Sequence, residues 1–411
     1  MGRGVEAGGV PAAGPRPARW SISLIFFING FVVASWVPHI PEVKERLALG
    51  EFQLGIALVA IAVGSVLALP FAGWLAGRFG SDAAARTAGL LLCLLLPAPV
   101  LAPTLPMLML ALLAFGAANG VLDVAMNAQG VLIEDRYGRP IFSSLHGLFS
   151  TGGLAGASLA GLVASAGVPA RLHALGLAGL LAPLLLVAAR AQLRDEAERA
   201  NMPAVLARPS SALIGLGALA FLALMAEGAI GDWAAVFLRE VRGAGMDGAA
   251  TGFAGFSLAM AAGRFSGDWM RRHWSAAALL RWSGLICALA MAMALTAPGL
   301  VASVLGFTLF GLGLANMIPL LFGAAGRTKD VPASPGIAAV ATAGYGGYLA
   351  GPPLIGITAE FIGMQLALVA ILLGAMVIAA FPTLARDRAD RAGPARHWRG
   401  TEWTGSSNVS L

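Results

Sequence analysis

Charge is the scarcest property of this 411-residue sequence: Asp, Glu, Lys and Arg together make up 12% of it. Soluble domains carry about 25%, so a water-soluble globule of this size is excluded for want of polar surface. Lysine is scarcer still. Only Lys44 and Lys329 occur among 27 basic residues, and with the Ala and Gly richness this reads as the codon bias of a GC-rich bacterial genome. The two cysteines, Cys93 and Cys287, lie inside apolar runs and read as small core hydrophobes. No metal-ligand spacing occurs among the histidines either, so neither a metal nor another cofactor is expected. A phosphate-cradling Gly loop with Lys is absent, which argues against ATP drive. No Ser/His/Asp set stands in a recognisable order, and the soluble segments are too short for a catalytic domain. The chain is not read as an enzyme. Its 54 Gly and 23 Pro follow no G-X-Y period, which excludes collagen.

Hydrophobic residues are abundant instead, at 58%, with a mean hydropathy of +0.80. A membrane span needs roughly 20 mostly apolar residues. Twelve stretches meet that rule: 20–41, 53–76, 85–104, 106–133, 142–166, 172–190, 210–237, 250–270, 276–297, 299–324, 335–359 and 361–384. The expected fold is therefore an all-α membrane protein of twelve transmembrane helices. Its segments are an N-terminal tail (1–19), a six-helix half (20–190), a central loop (191–209), a second six-helix half (210–384) and a C-terminal tail (385–411). The first span is too long for a removable signal peptide. If both tails and the central loop are cytoplasmic, 22 of the 27 basic residues fall on that side. This asymmetry predicts cytoplasmic termini and a bacterial inner-membrane location. It also explains the +6 net charge as topology, with no nucleic-acid partner.

Local similarity links the halves. Ala76-Gly77-Arg78-Phe79 recurs as Ala262-Gly263-Arg264-Phe265, Leu154-Ala155-Gly156 as Leu349-Ala350-Gly351, and Ala118-Asn119 as Ala315-Asn316. The offsets are 186, 195 and 197 residues. Two related halves around a midplane cavity are the plan of a secondary transporter that alternates access by rocking one half against the other.

These residues resemble the major facilitator superfamily over nearly the whole chain. Gly73, Leu75, Ala76, Arg78 and Gly80 match its motif between the second and third helices, except that Gly77 replaces the usual acid. The resemblance implies that this acid holds the inner gate shut. Gly73, Arg78 and Gly80 are then gating candidates, and the loop after span eight, with Arg264 and Asp268, is a candidate substitute latch. The segments Asp123–Gln129, Glu227–Trp233 and Gly344–Pro353 are similar to a bacterial branch near the fucose-permease-like sugar transporters. Drug–proton antiporters of the superfamily carry Gly-Pro in span five, where this chain has Ala157 and Ser158.

Ionisable residues at membrane depth are costly and functional by default. Asn119, Asp123 and Asn127 follow at i, i+4 and i+8, hence on one helical face. That stripe reads either as a cavity wall, with Asp123 accepting a solute hydrogen bond or a proton, or as an interhelical hydrogen-bond cluster. Glu227, near the middle of span seven, is the other proton-coupling candidate. Asp232, about 140° further round the helix, reads as an outer gate or a structural hydrogen bond. Asn29 and Asn316 read as solute contacts or as glue between helices. Tyr345 and Tyr348, at i and i+3 above a Pro352-Pro353 break, read as an aromatic platform for a sugar ring or as plain packing. His146 reads as interfacial or packing, and His39, His173 and His273 as interfacial.

The combined expectation is a monomeric, proton-coupled transporter in the lipid bilayer, moving a small polar solute of the sugar type. An exporter of drugs or metabolites, run as a proton antiporter, and a non-transporting sensor or partner protein are the rival readings.

Overall fold

The computed structural model describes residues 15–194, 210–244 and 246–385. Most of the expected N-terminal tail and central loop, and all but the first residue of the C-terminal tail, lie outside the described residues. Within them every regular element is helical and no strand occurs. Six helices of the first part are α1 (Pro15–Ser35), α2 (Ile40–Arg46), α3 (Glu51–Phe79), α4 (Ser81–Leu95), α5 (Pro97–Leu101) and α6 (Leu105–Tyr137). They are followed by α7 (Phe142–Ser165) and α8 (Ala170–Ala189). The later chain forms α9 (Ser211–Glu240), α10 (Met246–His273), α11 (Ala276–Thr296), α12 (Leu300–Leu314) and α13 (Met317–Gly326). It ends in α14 (Ala333–Ile362), α15 (Met364–Ala367) and α16 (Val369–Ala380).

Side-chain caps and glycines set many of the ends. Thr104, Ser210 and Ser275 each accept a hydrogen bond from the backbone two or three residues into the following helix. Gly80, at φ +90°, is the whole link between α3 and α4, a backbone conformation that side chains with a Cβ resist. Helix α1 already runs at Pro15, the first described residue, ahead of the expected start at residue 20.

Nine helical stretches among the described residues are long and apolar enough to cross a membrane. The expected spans 250–270, 335–359 and 361–384 coincide with helices outside that set. Of these, α10 carries four charges in its second half (Arg264, Asp268, Arg271 and Arg272), and the last is divided into α15 and α16. The expected break at Pro352-Pro353 does not occur, for α14 runs through both prolines. Proline at 352 removes the in-helix donor to the Tyr348 carbonyl, and that carbonyl lies against Gly228 of α9. Close helix contact of this kind is how membrane helices tolerate interior proline.

Helices pair along seams of small residues. α1 packs on α7 and α3 on α6, and the same pattern returns as α9 on α14 and α10 on α12. A Cβ at Gly64 or Gly116 would collide with a carbonyl across the α3–α6 seam, and one at Gly347 with the Phe221 carbonyl across α9–α14. Without a hydrophobic drive between helices in lipid, such backbone approach is a main source of association.

The buried side chains form two cores. One gathers residues between 18 and 193. The other gathers residues between 213 and 385 and draws in Leu69, Ala72, Val124, Ala128, Val131 and Phe142 from the earlier helices. These six mark where the two cores meet.

Candidate functional site

A chain of polar side chains crosses between the two cores. On α6, Asn127 Nδ2 donates to the Asp123 carbonyl at 2.8 Å and to Asp123 Oδ1 at 3.1 Å. The i, i+4 spacing makes this pair possible. From α14, Tyr345 Oη donates to Asp123 Oδ2 at 3.4 Å. On the other side of the amide, Asn127 Oδ1 lies 3.1 Å from His146 Nε2 of α7. That oxygen can only accept, so Nε2 carries the proton. The imidazole is held in place by the rings of Phe26, Phe142 and Phe322, with centroids 5.4, 5.6 and 6.3 Å away.

A second arm meets α7 one turn later. Ser150 Oγ donates to the His146 carbonyl at 3.1 Å and accepts from Arg264 Nη1 of α10. Arg264 is only 9% exposed, and its Nη2 stands 3.8 Å from Glu227 Oε1 of α9. The two arms carry two carboxyl groups, one guanidinium and one imidazole, a set able to hold a polar solute and to exchange a proton.

Another cluster ties the cores together at one end of the bundle. Asp268 of α10 accepts from the backbone N–H groups of Ser143 (2.8 Å) and Ser144 (3.2 Å) in the first turn of α7. Those N–H groups have no partner within their own helix, and the helix dipole favours an anion there. Glu134 Oε2 accepts from Ile141 N and Phe142 N at 2.7 and 2.9 Å, while its Oε1 accepts from Arg327 Nη2 at 2.7 Å. Arg327 Nε also donates to Asp135 Oδ1 at 2.9 Å. A cavity of about 20 Å³ lies among Glu134, Ser143, Asp268, Arg271 and Arg327, room for about one water. The two cores also approach where α3 meets α14: a Cβ at Gly73 would stand 3.0 Å from Pro335 Cα and Ala338 Cβ.

The sequence model of the Major Facilitator Superfamily matches residues 22–334. The chain belongs to the major facilitator superfamily. It is a multi-pass membrane transporter, similar over most of its length to curated bacterial members. An uncharacterised MFS-type transporter of Yersinia pestis is 37% identical over 360 residues, covering 88% of this chain and 94% of that one. The membrane protein MosC of Rhizobium meliloti is 33% identical over 381 residues, covering 92% of each. Among solved structures, FucP in the outward conformation superposes with a TM-score of 0.72 at 15% identity, over 89% of this chain and 98% of FucP. The proton:xylose symporter XylE does so at 0.67 and 12%, over 89% and 95%. At such identities the likeness establishes the superfamily fold alone.

Within this superfamily fold the sequence-derived residues fall into separate places. Asp123, Asn127 and Tyr345 come together directly. Asn119 is half-buried one turn away, with its Oδ1 unpartnered. Asn29 is buried and donates to Met126 Sδ at 3.5 Å, and its Oδ1 also lacks a partner. Tyr348 is half-exposed against Gly228 of α9. Asn316 stands apart from these: it sits at the break between α12 and α13 without a side-chain capping bond, donates to the Gly263 carbonyl at 2.9 Å, and lies beside Ser143 in the joining cluster. Arg264 and Asp268 were expected in a loop, but both belong to continuous α10. Arg264 therefore reaches Ser150 and Glu227 in the polar layer, while Asp268, one turn on, joins the end cluster. Gly73 and Gly80 frame α3 as described, and Arg78 lies over the Phe79 ring at 5.7 Å. Asp232 is exposed towards the opposite end of α9.

Sequence reasoning missed Glu134 and Arg327, and it gave His146 no specific partner. Glu134 lies seven residues beyond Asn127, on the same helical face, so an extended stripe could have found it. His39 and His173, read as interfacial, are buried and hydrogen-bonded to each other at 2.7 Å.

Proposed function

We propose that this chain is a proton-coupled secondary transporter that moves a small polar solute, of the sugar or related metabolite class, across the bacterial inner membrane. It has twelve spans in two six-helix halves, 20–190 and 210–384, with both termini cytoplasmic. The observation that carries the reading is the polar layer itself: Asp123, Asn127 and His146 of one half face Tyr345, Arg264 and Glu227 of the other. On the positive-inside rule we assign the cluster around Asp268 and Arg327 to the cytoplasmic side, where its contacts would hold the halves closed.

In the proposed cycle solute and proton enter between the halves and reach this layer. Neutralising Glu227 or Asp123 removes a carboxylate that would resist being sealed from water. The halves then rock, the Asp268 and Arg327 contacts part, and both cargoes leave inward. Proton:sugar symport is the stated activity of the structural neighbours XylE and the Escherichia coli fucose:proton symporter, and it supports the reading by analogy of fold.

The test is thermal shift of the purified protein against sugars, amino acids and organic acids at two pH values. A ligand that binds the folded state raises its apparent stability. A polar solute with a pH-dependent shift is the expected result. Shifts confined to hydrophobic cations would replace this reading with the exporter.

A further inference from the structure

We infer that the transported solute carries a carboxylate, and that the guanidinium of Arg264 receives it. This deepens the proposed function and rests on it. Arg264 is nine-tenths buried, and its ion pair with Glu227 is a long one. Its Nη1 is spent on the neutral hydroxyl of Ser150. Its Nη2 is 3.8 Å from Glu227 Oε1, beyond hydrogen-bond length. Its Nε–H is buried with no acceptor among the described residues. Nε and Nη2 form one edge of the guanidinium, the edge whose two parallel N–H groups match the two oxygens of a carboxylate. A buried cation left this way is costly unless something completes it, and a planar carboxylate completes it in one step.

Two amides of the first half narrow the class further. Asn119 Oδ1, one turn before Asp123, and Asn29 Oδ1, beside Met126, are buried acceptors without donors among the described residues, and hydroxyl groups would supply them. A small hydroxylated carboxylic acid, such as a sugar acid, meets both demands. It also provides a coupling device. Ionised Glu227 and the solute carboxylate compete for the same guanidinium, so one proton added to Glu227 frees Arg264 for one solute anion. Proton and anion enter together, and the layer gains no net charge. The other titratable groups around this pair are Asp123 on α6, His146 on α7, Tyr345 and Tyr348 on α14, and Asp268 on α10 itself.

The full-length protein in nanodiscs, and reconstituted for counterflow, decides the matter with five probes: D-gluconate, D-glucuronate, D-glucose, D-glucitol and D-glucosamine. The acids should raise the melting temperature saturably and exchange, and the neutral and cationic probes should do neither. Arg264→Lys, which keeps the charge but loses the fork, should weaken acid binding on the order of tenfold, and Arg264→Gln should abolish it. If Arg264→Gln fails to fold, the lysine variant carries the comparison. Acid binding that survives unchanged in Arg264→Lys overturns the inference. So does preference for glucose, glucitol or glucosamine, although exchange of any of these leaves the transport reading standing. If none of the five binds or exchanges, the inference falls together with the reading beneath it.

Discussion

Asn127 works in two directions at once, donating through Nδ2 to Asp123 and accepting through Oδ1 from His146. Removing the imidazole therefore leaves a buried amide oxygen without a donor, at a cost of about 1–3 kcal/mol. His146→Phe retains an aromatic ring for Phe26, Phe142 and Phe322 to pack on, so it isolates the hydrogen bond from the packing. We expect it to lower the melting temperature, and His146→Gln, which restores an N–H donor, to recover part of the loss. Equal melting temperatures for His146→Phe and the parent would show that the bond contributes nothing. Residue spacing alone made half of this site legible. The i, i+4 relation put Asp123 and Asn127 on one face, and they are bonded. His146 and Arg264 were not legible as members, because their partners come from other helices and no spacing within α7 or α10 encodes that meeting.

At the scale of the element, α7 is held at its start by carboxylates from outside itself. Asp268 supplies two acceptors and Glu134 one more to the first-turn N–H groups and the residue before them. Asp268→Ala should weaken this junction by about 1–2 kcal/mol, the range for loss of a helix cap. Faster labelling of a cysteine placed at Ser144, measured from the cytoplasmic side, is the readout, and unchanged labelling would argue against a latch. Glycine positions give a second prediction. Gly347→Leu drives a side chain into the Phe221 carbonyl, whereas Gly346→Ala meets nothing within 4 Å. Overpacking costs about 1–3 kcal/mol or more, so size-exclusion chromatography should show loss of folded protein for Gly347→Leu only. Apolar runs made most helices readable in advance. α10 was the least apparent as one long helix because its second half is charged. Of those charges Arg264 and Arg271 are buried and Asp268 is joined across the bundle, where hydropathy does not register partners, while Arg272 is exposed.

For the whole molecule, the fold class and superfamily were readable from composition and a few motifs, while the manner of closure was not. The usual acid of the second-to-third-helix motif is absent at Gly77, yet the two cores are still joined. Tight backbone packing of Gly73 against Pro335 takes one side, and Asp268 with the Arg327–Glu134 pair takes the other. Arg327 and Glu134 are both mostly buried, and removing one partner of a buried pair costs about 3–5 kcal/mol. Arg327→Ala should thus shift the population strongly towards the inward-open form. Double electron–electron resonance between spin labels on the two cores should show the distance at the Arg327 end lengthen. An unaltered distance distribution would mean that the pair is not a gate.

The central claim is that protonation in the polar layer drives the solute. Its most direct measurement compares Glu227→Gln with the parent in proteoliposomes, recording accumulation of the solute under an imposed pH gradient and solute exchange without one. The account predicts that Glu227→Gln loses gradient-driven accumulation and retains exchange. Normal accumulation by that variant would contradict the account, because a permanently neutral side chain would then be coupling as well as a carboxyl.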